Sequence, residues 1–173
     1  MREWIPVSSS PKGRLVLAAV AAFGARDFDE VTVGELSAAA EVTTGALYHH
    51  FGSKLGLYEF VRADVERRLL DRMAGAAAAS GSDCATTVRA VLLVGFDFAV
   101  GERFLRILGE PPAGSDGDRL ADVLGSATTS PVLGRVLAAA WRAALAAVGE
   151  GTDAQEARAA IEALEVRMSS PQG

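Results

Sequence analysis

The sequence predicts an all-α protein of two domains, because three observations point the same way. Apolar residues recur at three- to four-residue intervals through most of the chain, which is the period of an α-helix. Capping residues and Gly, Pro and Ser clusters interrupt that period, so the ends of successive helices are visible. Half of the 173 residues are hydrophobic, which is enough to form a core. We predict an N-terminal domain of three helices that contains a helix-turn-helix, followed by a larger C-terminal helical bundle.

A capping box starts the first half of the predicted helix-turn-helix, which spans about residues 32–51. The Thr32 hydroxyl can accept the backbone N–H of Glu35, while the Glu35 carboxylate accepts the amide of Thr32. Val31 and Leu36 flank this box as a hydrophobic staple. The helix is expected to begin just after Thr32 and to end near Glu41, only two turns later.

A second short helix is expected after a tight turn. Thr43 can cap a helix that runs through Phe51 and buries Leu47 and Phe51 on one side. The opposite side then presents Thr44, Gly45, Tyr48 and His49. Small residues in both helices let them cross closely, so that the second one protrudes and can fit the major groove of DNA.

Residues 32–54, TVGELSAAAEVTTGALYHHFGSK, resemble the DNA-binding domain of the TetR family of bacterial transcriptional regulators. The likeness covers roughly residues 12–70 and includes a first helix over residues 14–24, followed by a turn at residues 26–28. Two positions depart from the family pattern, since Glu41 stands where Gly is usual and Ser37 replaces a common Ala. A left-handed conformation at Glu41 would cost on the order of 1 to 2 kcal/mol.

The resemblance implies that the protruding helix contacts DNA. His50 would touch backbone phosphate, His49 would lie at the groove edge, and Tyr48 would donate its hydroxyl to a phosphate or a base. The expected DNA-binding residues are Thr32, Thr43, Thr44, Gly45, Tyr48, His49, His50 and Lys54. The alternative for Tyr48 is a core aromatic, although Leu47 and Phe51 already supply the buried face.

Charge gives no independent sign of nucleic-acid binding. The net charge is −5, and residues 1–54 carry five Lys and Arg against six Asp and Glu. Affinity for DNA must therefore come from the placement of the cations, and Lys12, Arg14 and Lys54 would have to face phosphate. Lys54 is expected at the first position of the fourth helix, where the helix dipole disfavours a cation unless a phosphate is its partner. The alternative is an indifferent surface lysine.

The remaining residues, 54–173, are predicted to form the helical effector-binding and dimerisation domain, and residues 8–53 the DNA-binding domain. A long fourth helix ends at residues 80–82, and a very apolar helix from about 83 to 100 is expected at the centre. Shorter helices are predicted at residues 103–108 and 118–127, around a loop at 110–117.

Ser130, with Pro131 after it, is expected to cap a helix at about 131–148. Thr152 or Asp153 is expected to cap the last one, at 153–168, on which Ala157 and Ile161 belong to the apolar stripe. By the resemblance these two helices would meet their copies in a homodimer, and the alternative is that they pack within one chain.

Asp97 interrupts the most apolar helix, and a buried carboxylate needs a partner. Arg103 or Arg106 could pair with it. The other hypothesis is a pocket for a small hydrophobic effector, whose binding would lower operator affinity through reciprocal coupling. The residues proposed to line it are Phe96, Asp97, Phe104 and Trp141.

Several function classes are disfavoured. Cys84 is the single cysteine, so an internal disulfide is impossible, and a packing role in a reducing cytoplasm is expected. The most apolar run, residues 88–100, is too short to span a bilayer, and no signal peptide precedes it. The adjacent His49 and His50 diverge by about 100° and cannot jointly chelate a metal. No catalytic residues, metals or cofactors are expected.

Together these features predict a cytoplasmic dimeric repressor that binds a palindromic operator in double-stranded DNA and is released by an effector. Two-fold pairing would supply two half-sites roughly 34 to 36 Å apart. Activation is less favoured because it needs a further contact surface. The rival interpretations are a helical small-molecule-binding module with a weakened or lost DNA-binding surface, and a scaffold dimer without a ligand.

Overall fold

The computed structural model describes residues 9–81, 83–111 and 117–164, and the regular structure within these ranges is entirely helical. This confirms the all-α class. The helices are α1 (Pro11–Ala25), a short 3-10 helix (Phe28–Glu30), α2 (Val33–Ala39), α3 (Thr44–Phe51), α4 (Lys54–Ala79), α5 (Cys84–Gly101), α6 (Leu105–Gly109), α7 (Arg119–Thr128), α8 (Pro131–Gly149) and α9 (Ala154–Glu162). The chain forms two compact units, Met1–Val65 and Glu66–Gly173.

The N-terminal unit is built around α1. This helix begins three residues earlier than the sequence predicted, because Ser10 caps it by accepting the Gly13 N–H at 3.0 Å and Pro11 occupies its first turn. Phe23 on its buried face stacks near Phe28, with ring centroids 5.9 Å apart. The start of α4 completes this core, since the Tyr58 ring packs edge-on against Phe23 at 5.0 Å.

The contribution of α4 explains where the two units divide. The predicted domain boundary lies at residues 53 and 54, whereas the compact units divide inside α4, between Val65 and Glu66. Phe60 packs edge-on against Phe51 at 5.4 Å, and Val61 is fully buried. The first turns of α4 therefore belong to the N-terminal core, and the domain limits of 8–53 and 54–173 stay a prediction.

In the C-terminal unit, α5 packs against α6, α7, α8 and α9. Its side chains Val88, Leu92 and Phe96 are buried. Trp141 of α8 is fully buried too, and its indole N–H donates to the Leu92 carbonyl at 3.0 Å. The expectation of a central α5 is thus confirmed.

The α7–α8 pair forms a close hairpin within this unit. Ser130 caps α8 by accepting the Leu133 N–H, as predicted, and Pro131 follows it. Near the other end, the buried guanidinium of Arg142 binds both carboxylate oxygens of Asp118, the N-cap of α7. The hydrogen bond from Arg142 lowers the pKa of the Asp118 carboxyl.

Two helices, α5 and α8, are long and apolar enough to cross a bilayer by length and composition. The prediction that the apolar run is too short was wrong, because residues 88–100 are only part of an 18-residue helix. Both helices also supply core side chains to the C-terminal unit, so packing against the other helices accounts for part of their apolar content.

The last predicted helix is described only in part. Asp153 caps α9 by accepting the N–H groups of Gln155 and Glu156, and Ala157 and Ile161 are buried as the apolar spacing predicted. The helix ends at Glu162, with Ala163 as its C-cap, so the prediction that it reaches residue 168 was wrong. Residues 165–173 lie outside the described residues. Residues 112–116 of the predicted loop also lie outside.

Candidate nucleic-acid interface

The capping box that starts α2 is formed as predicted. The Thr32 N–H donates to Glu35 Oε2 at 2.8 Å, and the Glu35 N–H donates to Thr32 Oγ1 at 3.2 Å. Arg26 adds an ion pair to Glu35 at 3.1 Å. The backbone and hydroxyl hydrogen bonds from Thr32, followed by that from Arg26, lower the pKa of Glu35 to about 2. The ionised carboxylate therefore fixes the first turn of α2.

The turn between α2 and α3 has the geometry of a Schellman motif. The Val42 N–H donates to the Ser37 carbonyl at 3.0 Å, and the Glu41 N–H donates to the Ala38 carbonyl at 3.1 Å. Glu41 adopts φ = 53°, the left-handed conformation that this motif requires. Because Glu41 carries a Cβ there, this turn is strained in the way the sequence suggested.

One side of α3 is buried and the other is open. Thr43 caps the helix by accepting the Ala46 N–H at 3.3 Å, and Leu47 is fully buried. The residues Thr44, Gly45, Tyr48, His49 and His50 are all exposed. Tyr48 is 54% exposed, so the alternative of a core aromatic was wrong. The predicted sidedness of α3 is confirmed, while the contacts of these residues with DNA stay a prediction.

The two histidines lie together in the last turn of α3. Their ring centroids are 5.1 Å apart, with the ring planes inclined at 65°. Positive charge is favourable in the last turn of a helix, so this position suits a histidine that approaches phosphate. In the part of the chain that the structure describes, no group of three or more His, Cys, Asp and Glu residues could hold a metal ion.

Lys54 does occupy the first position of α4, but its ammonium group faces the protein. It donates to the carbonyls of Phe28 at 2.8 Å and Val31 at 2.9 Å, and it lies 4.1 Å from the centre of the Phe28 ring. These carbonyls stabilise the ammonium group within the chain, so the alternative of an indifferent surface lysine was wrong, and a contact of Lys54 with phosphate stays a prediction. Lys54 ties the start of α4 to the segment between α1 and α2.

Other groups near this surface are also held by the protein. The Thr32 hydroxyl is occupied in the capping box, and Lys12 lies 5.0 Å from the centre of the Phe60 ring. Arg14 of α1, which the sequence analysis expected to face phosphate, donates to backbone carbonyls at the turn after α2. No sequence signal could have found this, because the acceptors are backbone atoms 26 and 27 residues away.

The four residues predicted to line an effector pocket are not brought together in a pocket. Phe96, Phe104 and Trp141 are buried core residues. Asp97 is exposed and pairs with Arg158 of α9 at 2.9 Å, so the expected partners Arg103 and Arg106 were wrong. Asp97 departs from the prediction because it lies on the outer side of α5, where a carboxylate needs no buried partner.

Two open clefts are present in the C-terminal unit. One of about 200 Å³ lies between α6 and α8 and is lined by Leu105, Arg106, Gly109, Glu110, Leu145, Ala146, Gly149 and Glu150. The other, of about 320 Å³, lies between α4 and α5 and is lined by Arg72, Val94, Asp97, Phe98, Gly101 and Glu102. Of the four predicted pocket residues, only Asp97 lines either cleft.

Comparison with known proteins identifies the helix-turn-helix. Residues 15–61, from α1 into α4, match the family described as "Bacterial regulatory proteins, tetR family". These residues therefore form a TetR-type DNA-binding domain of a bacterial regulatory protein, and its helix-turn-helix is formed by α2 and α3. No curated protein sequence matches the chain.

Two solved structures share the fold of this chain. A TetR-like transcriptional regulator from Rhodococcus sp. RHA1 is similar with a TM-score of 0.70 and 21% identity, covering 91% of this chain and 93% of that chain. A putative tetR family transcription regulator from Shewanella sp. PV-4 is similar with a TM-score of 0.64 and 18% identity, covering 91% of this chain and 100% of that chain. At these identities the likeness is one of fold.

Proposed function

We propose that this protein is a TetR-family transcriptional regulator, and specifically a homodimeric repressor that binds a palindromic operator through α3 and releases it when a small hydrophobic effector binds. The observation that carries the proposal is the exposed side of α3, opposite the fully buried Leu47. A helix anchored on one side and open on the other can enter the major groove. Repression needs only that the bound protein obstructs the promoter.

The chemistry along α3 favours different roles at its two ends. Thr44 and Gly45 lie in the first turn, where a small or hydroxyl side chain can approach base edges. Tyr48, His49 and His50 follow, and their polar groups suit phosphate oxygens or the groove edge. Phosphate contacts would set the register of α3, while the few base contacts would choose the sequence. A protein that acts on chromosomal DNA would work in the cytoplasm.

The outer face of α8 supports the dimer. Val132 and Val136 are 60% and 56% exposed, and Ala139 and Ala143 continue the same exposed stripe. These positions follow helical spacing, so they form one apolar face along about three turns. Apolar side chains exposed in a row are typical of a surface that another protein covers. We propose that the partner is a second copy, which would also bring two α3 helices to one duplex.

The cleft between α6 and α8 is the proposed effector site, in place of the predicted pocket quartet. Leu105 and Leu145 give it apolar walls, while Arg106 and Glu110 supply charged groups. Its volume of about 200 Å³ is below the roughly 300 to 1,000 Å³ of most ligand pockets. Binding of a larger effector would therefore separate α6 from α8. If the separated conformation binds the operator less tightly, effector binding lowers operator affinity, and operator binding lowers effector affinity to the same extent.

Selection of bound duplexes from a random DNA pool tests the function directly. A palindromic consensus is expected, and operator affinity should fall with rising salt by about 0.9 log units per log unit of salt for each phosphate contact. A chain that enriches no sequence, or whose binding shows no response to salt, would favour the rival of a helical ligand-binding or scaffold dimer. Adding hydrophobic compounds that bind the C-terminal unit then tests effector release, and unchanged operator affinity with every such ligand would remove that part of the proposal.

Two substitutions on α3 test the assigned roles. Tyr48→Ala should weaken binding to every operator, whereas Thr44→Ala should change which base pairs are preferred, by roughly 1 to 3 kcal/mol at one position. Thr86→Ala, at an exposed threonine of α5, is the matched control and should change neither. Equal losses on all operators from Thr44→Ala would contradict a base-reading role.

A further inference from the structure

We propose that Arg14 is a positioning residue for DNA recognition, which holds the turn between α2 and α3 without contacting DNA itself. The proposal rests on the function proposed above, since it concerns how α3 is aimed at the operator. It assigns a role to a side chain on α1, which lies outside the helix-turn-helix. The hydrogen bonds of this side chain go to the backbone of Ser9, Ala40 and Glu41, and these residues are not part of α3.

The turn that Arg14 contacts has a reason to need support. Glu41 adopts φ = 53°, a conformation in which a Cβ crowds the following carbonyl oxygen. Two backbone hydrogen bonds of the Schellman motif, donated by the Glu41 and Val42 N–H groups, stabilise the turn locally. Strained backbone of this kind persists only where surrounding contacts determine it.

The guanidinium of Arg14 supplies such contacts. Its Nε donates to the Ala40 carbonyl at 2.8 Å, and one terminal nitrogen approaches the Glu41 carbonyl at 3.4 Å. The other terminal nitrogen donates to the Ser9 carbonyl at 2.9 Å. One planar group therefore bridges Ser9, which precedes α1, and the two residues that follow α2.

The chemistry of this position favours arginine. Carbonyls in the last turn of a helix have no partner within the helix, and a cation there is stabilised by the helix dipole. The fork of the guanidinium presents several donors in fixed directions, which an ammonium group cannot reproduce. All three acceptors are backbone oxygens, so the charge of Arg14 acts on the turn.

The consequence for DNA recognition lies in the direction of α3. Thr43 caps α3 only two residues beyond Glu41, so a change in the backbone at Glu41 turns the whole helix. Contacts with base edges depend on that direction more closely than contacts with phosphate, because bidentate hydrogen bonds require aligned donors and acceptors. Loosening the turn should lower affinity for the selected operator more than affinity for unrelated DNA.

The test is a double-mutant cycle between positions 14 and 41. Arg14→Lys keeps the charge but removes the fork, and Glu41→Gly removes the strain. With the operator selected by the wild type, Arg14→Lys is expected to lower affinity roughly tenfold, the effect of about one charge-assisted hydrogen bond. In the Glu41→Gly background the same substitution should lower operator affinity roughly threefold or less, because glycine adopts this conformation without support from the Arg14 guanidinium.

Salt dependence separates positioning from direct contact. A positioning residue leaves the slope of log affinity against log salt unchanged, whereas Arg14→Gln would reduce it by about 0.9 if the guanidinium neutralised a phosphate. Arg89→Lys, at an exposed arginine of α5, is the matched control and should not alter affinity. Full affinity in Arg14→Lys, or a loss independent of the residue at position 41, would overturn the proposal.

Amide hydrogen exchange gives a readout that does not depend on DNA. The Val42 N–H should exchange several-fold faster in Arg14→Lys than in the wild type, while the amides in the middle of α1 keep their protection. Unchanged exchange at Val42 would remove the proposed role of Arg14. A wild-type chain that selects no duplex would instead remove the proposed function, and the exchange result would still decide whether Arg14 holds the turn.

Discussion

At the scale of single residues, Ser37 shows how a polar group can be buried at a cost. It is 2% exposed within α2, and its hydroxyl oxygen has no hydrogen-bond partner among the described residues. Burial without a partner costs a hydroxyl its hydrogen bonds to water. Alanine, the residue that the resemblance led us to expect here, would keep the packing and omit the hydroxyl.

We therefore expect Ser37→Ala to stabilise the protein. The free energy of unfolding should rise by about 1 kcal/mol, measured by denaturant titration followed by circular dichroism. Ser126→Ala, at an exposed position inside α7, controls for the higher helix propensity of alanine. If the two variants gain the same stability, the buried hydroxyl has no separate cost.

Lys54, in contrast, has hydrogen-bond partners for its charged group within the protein. Lys54→Met should lower the free energy of unfolding by about 1 to 2 kcal/mol, because the carbonyls of Phe28 and Val31 lose their donor. In the folded variant, the salt dependence of operator binding should be unchanged, which binding assays at several salt concentrations would measure. If the slope of log affinity against log salt falls by about 0.9 in Lys54→Met, Lys54 contacts a phosphate.

These residues also mark what sequence reasoning can reach. The exposed side of α3 was predictable, because helical spacing fixes which residues lie opposite Leu47. The partners of Lys54 and Asp97 were not, because they lie more than 20 and 60 residues away and two of them are backbone atoms. The spacing of residues along the chain predicts which side of a single helix they lie on. Contacts between distant residues become visible only once the fold is known.

At the scale of helices, the capping box links the stability of α2 to pH. The pKa of Glu35 is about 2 in the folded protein, against an ordinary value of 4.5. A carboxyl whose pKa is lowered on folding stabilises the protein above the unfolded-state value, and this contribution disappears as pH falls from about 4.5 towards 2.

Replacement of the carboxyl isolates that contribution. Glu35→Gln should be less stable than the wild type at pH 7, and the difference should shrink as pH falls through this window, in denaturant titrations at a series of pH values. Glu156→Gln, at an exposed acidic residue in the first turn of α9, is the control for loss of a helix N-terminal charge. A constant difference between wild type and Glu35→Gln down to pH 2 would contradict the role of the ionised carboxylate.

The α7–α8 hairpin depends on a glycine at the helix crossing. A Cβ on Gly134 would lie 2.3 Å from both the Ala121 carbonyl oxygen and the Gly125 nitrogen, which are backbone atoms that cannot rotate away. Gly134→Ala must therefore push α7 from α8 and should cost about 3 kcal/mol or more of unfolding free energy. Gly75→Ala is the control, because its Cβ would meet nothing within 4 Å. It should stabilise α4 by up to about 1 kcal/mol, and a comparable gain at position 134 would refute the close crossing.

Helix positions were more predictable than helix packing. Ser130 with Pro131, Asp153 and Thr43 all cap the helices that the sequence assigned to them. Capping is local, so a few adjacent residues determine it. The crossing at Gly134 was not foreseen, because a glycine within a helix gives no sign of which neighbour it allows to approach.

At the scale of the whole molecule, the question is what covers the exposed face of α8. Association through Val132 and Val136 would remove two large apolar side chains from water and place two DNA-binding units in one particle. A single short helix contacts few base pairs, so pairing is also what operator recognition needs. The same surface would thus serve stability and sequence selection.

Val136→Glu should dissociate the dimer, because a charged carboxylate would be buried against its own copy. Sedimentation velocity is expected to give a mass near the 17.9 kDa of one chain for this variant and twice that mass for the wild type. Affinity for the palindromic operator should then fall by about a hundredfold, since the second half-site no longer binds as part of one particle. Val94→Glu carries the same change on the exposed side of α5, and it should remain dimeric. If Val136→Glu sediments as a dimer while Val94→Glu does not, the interface lies on α5 instead, and the spacing of the two α3 helices must be argued from that face.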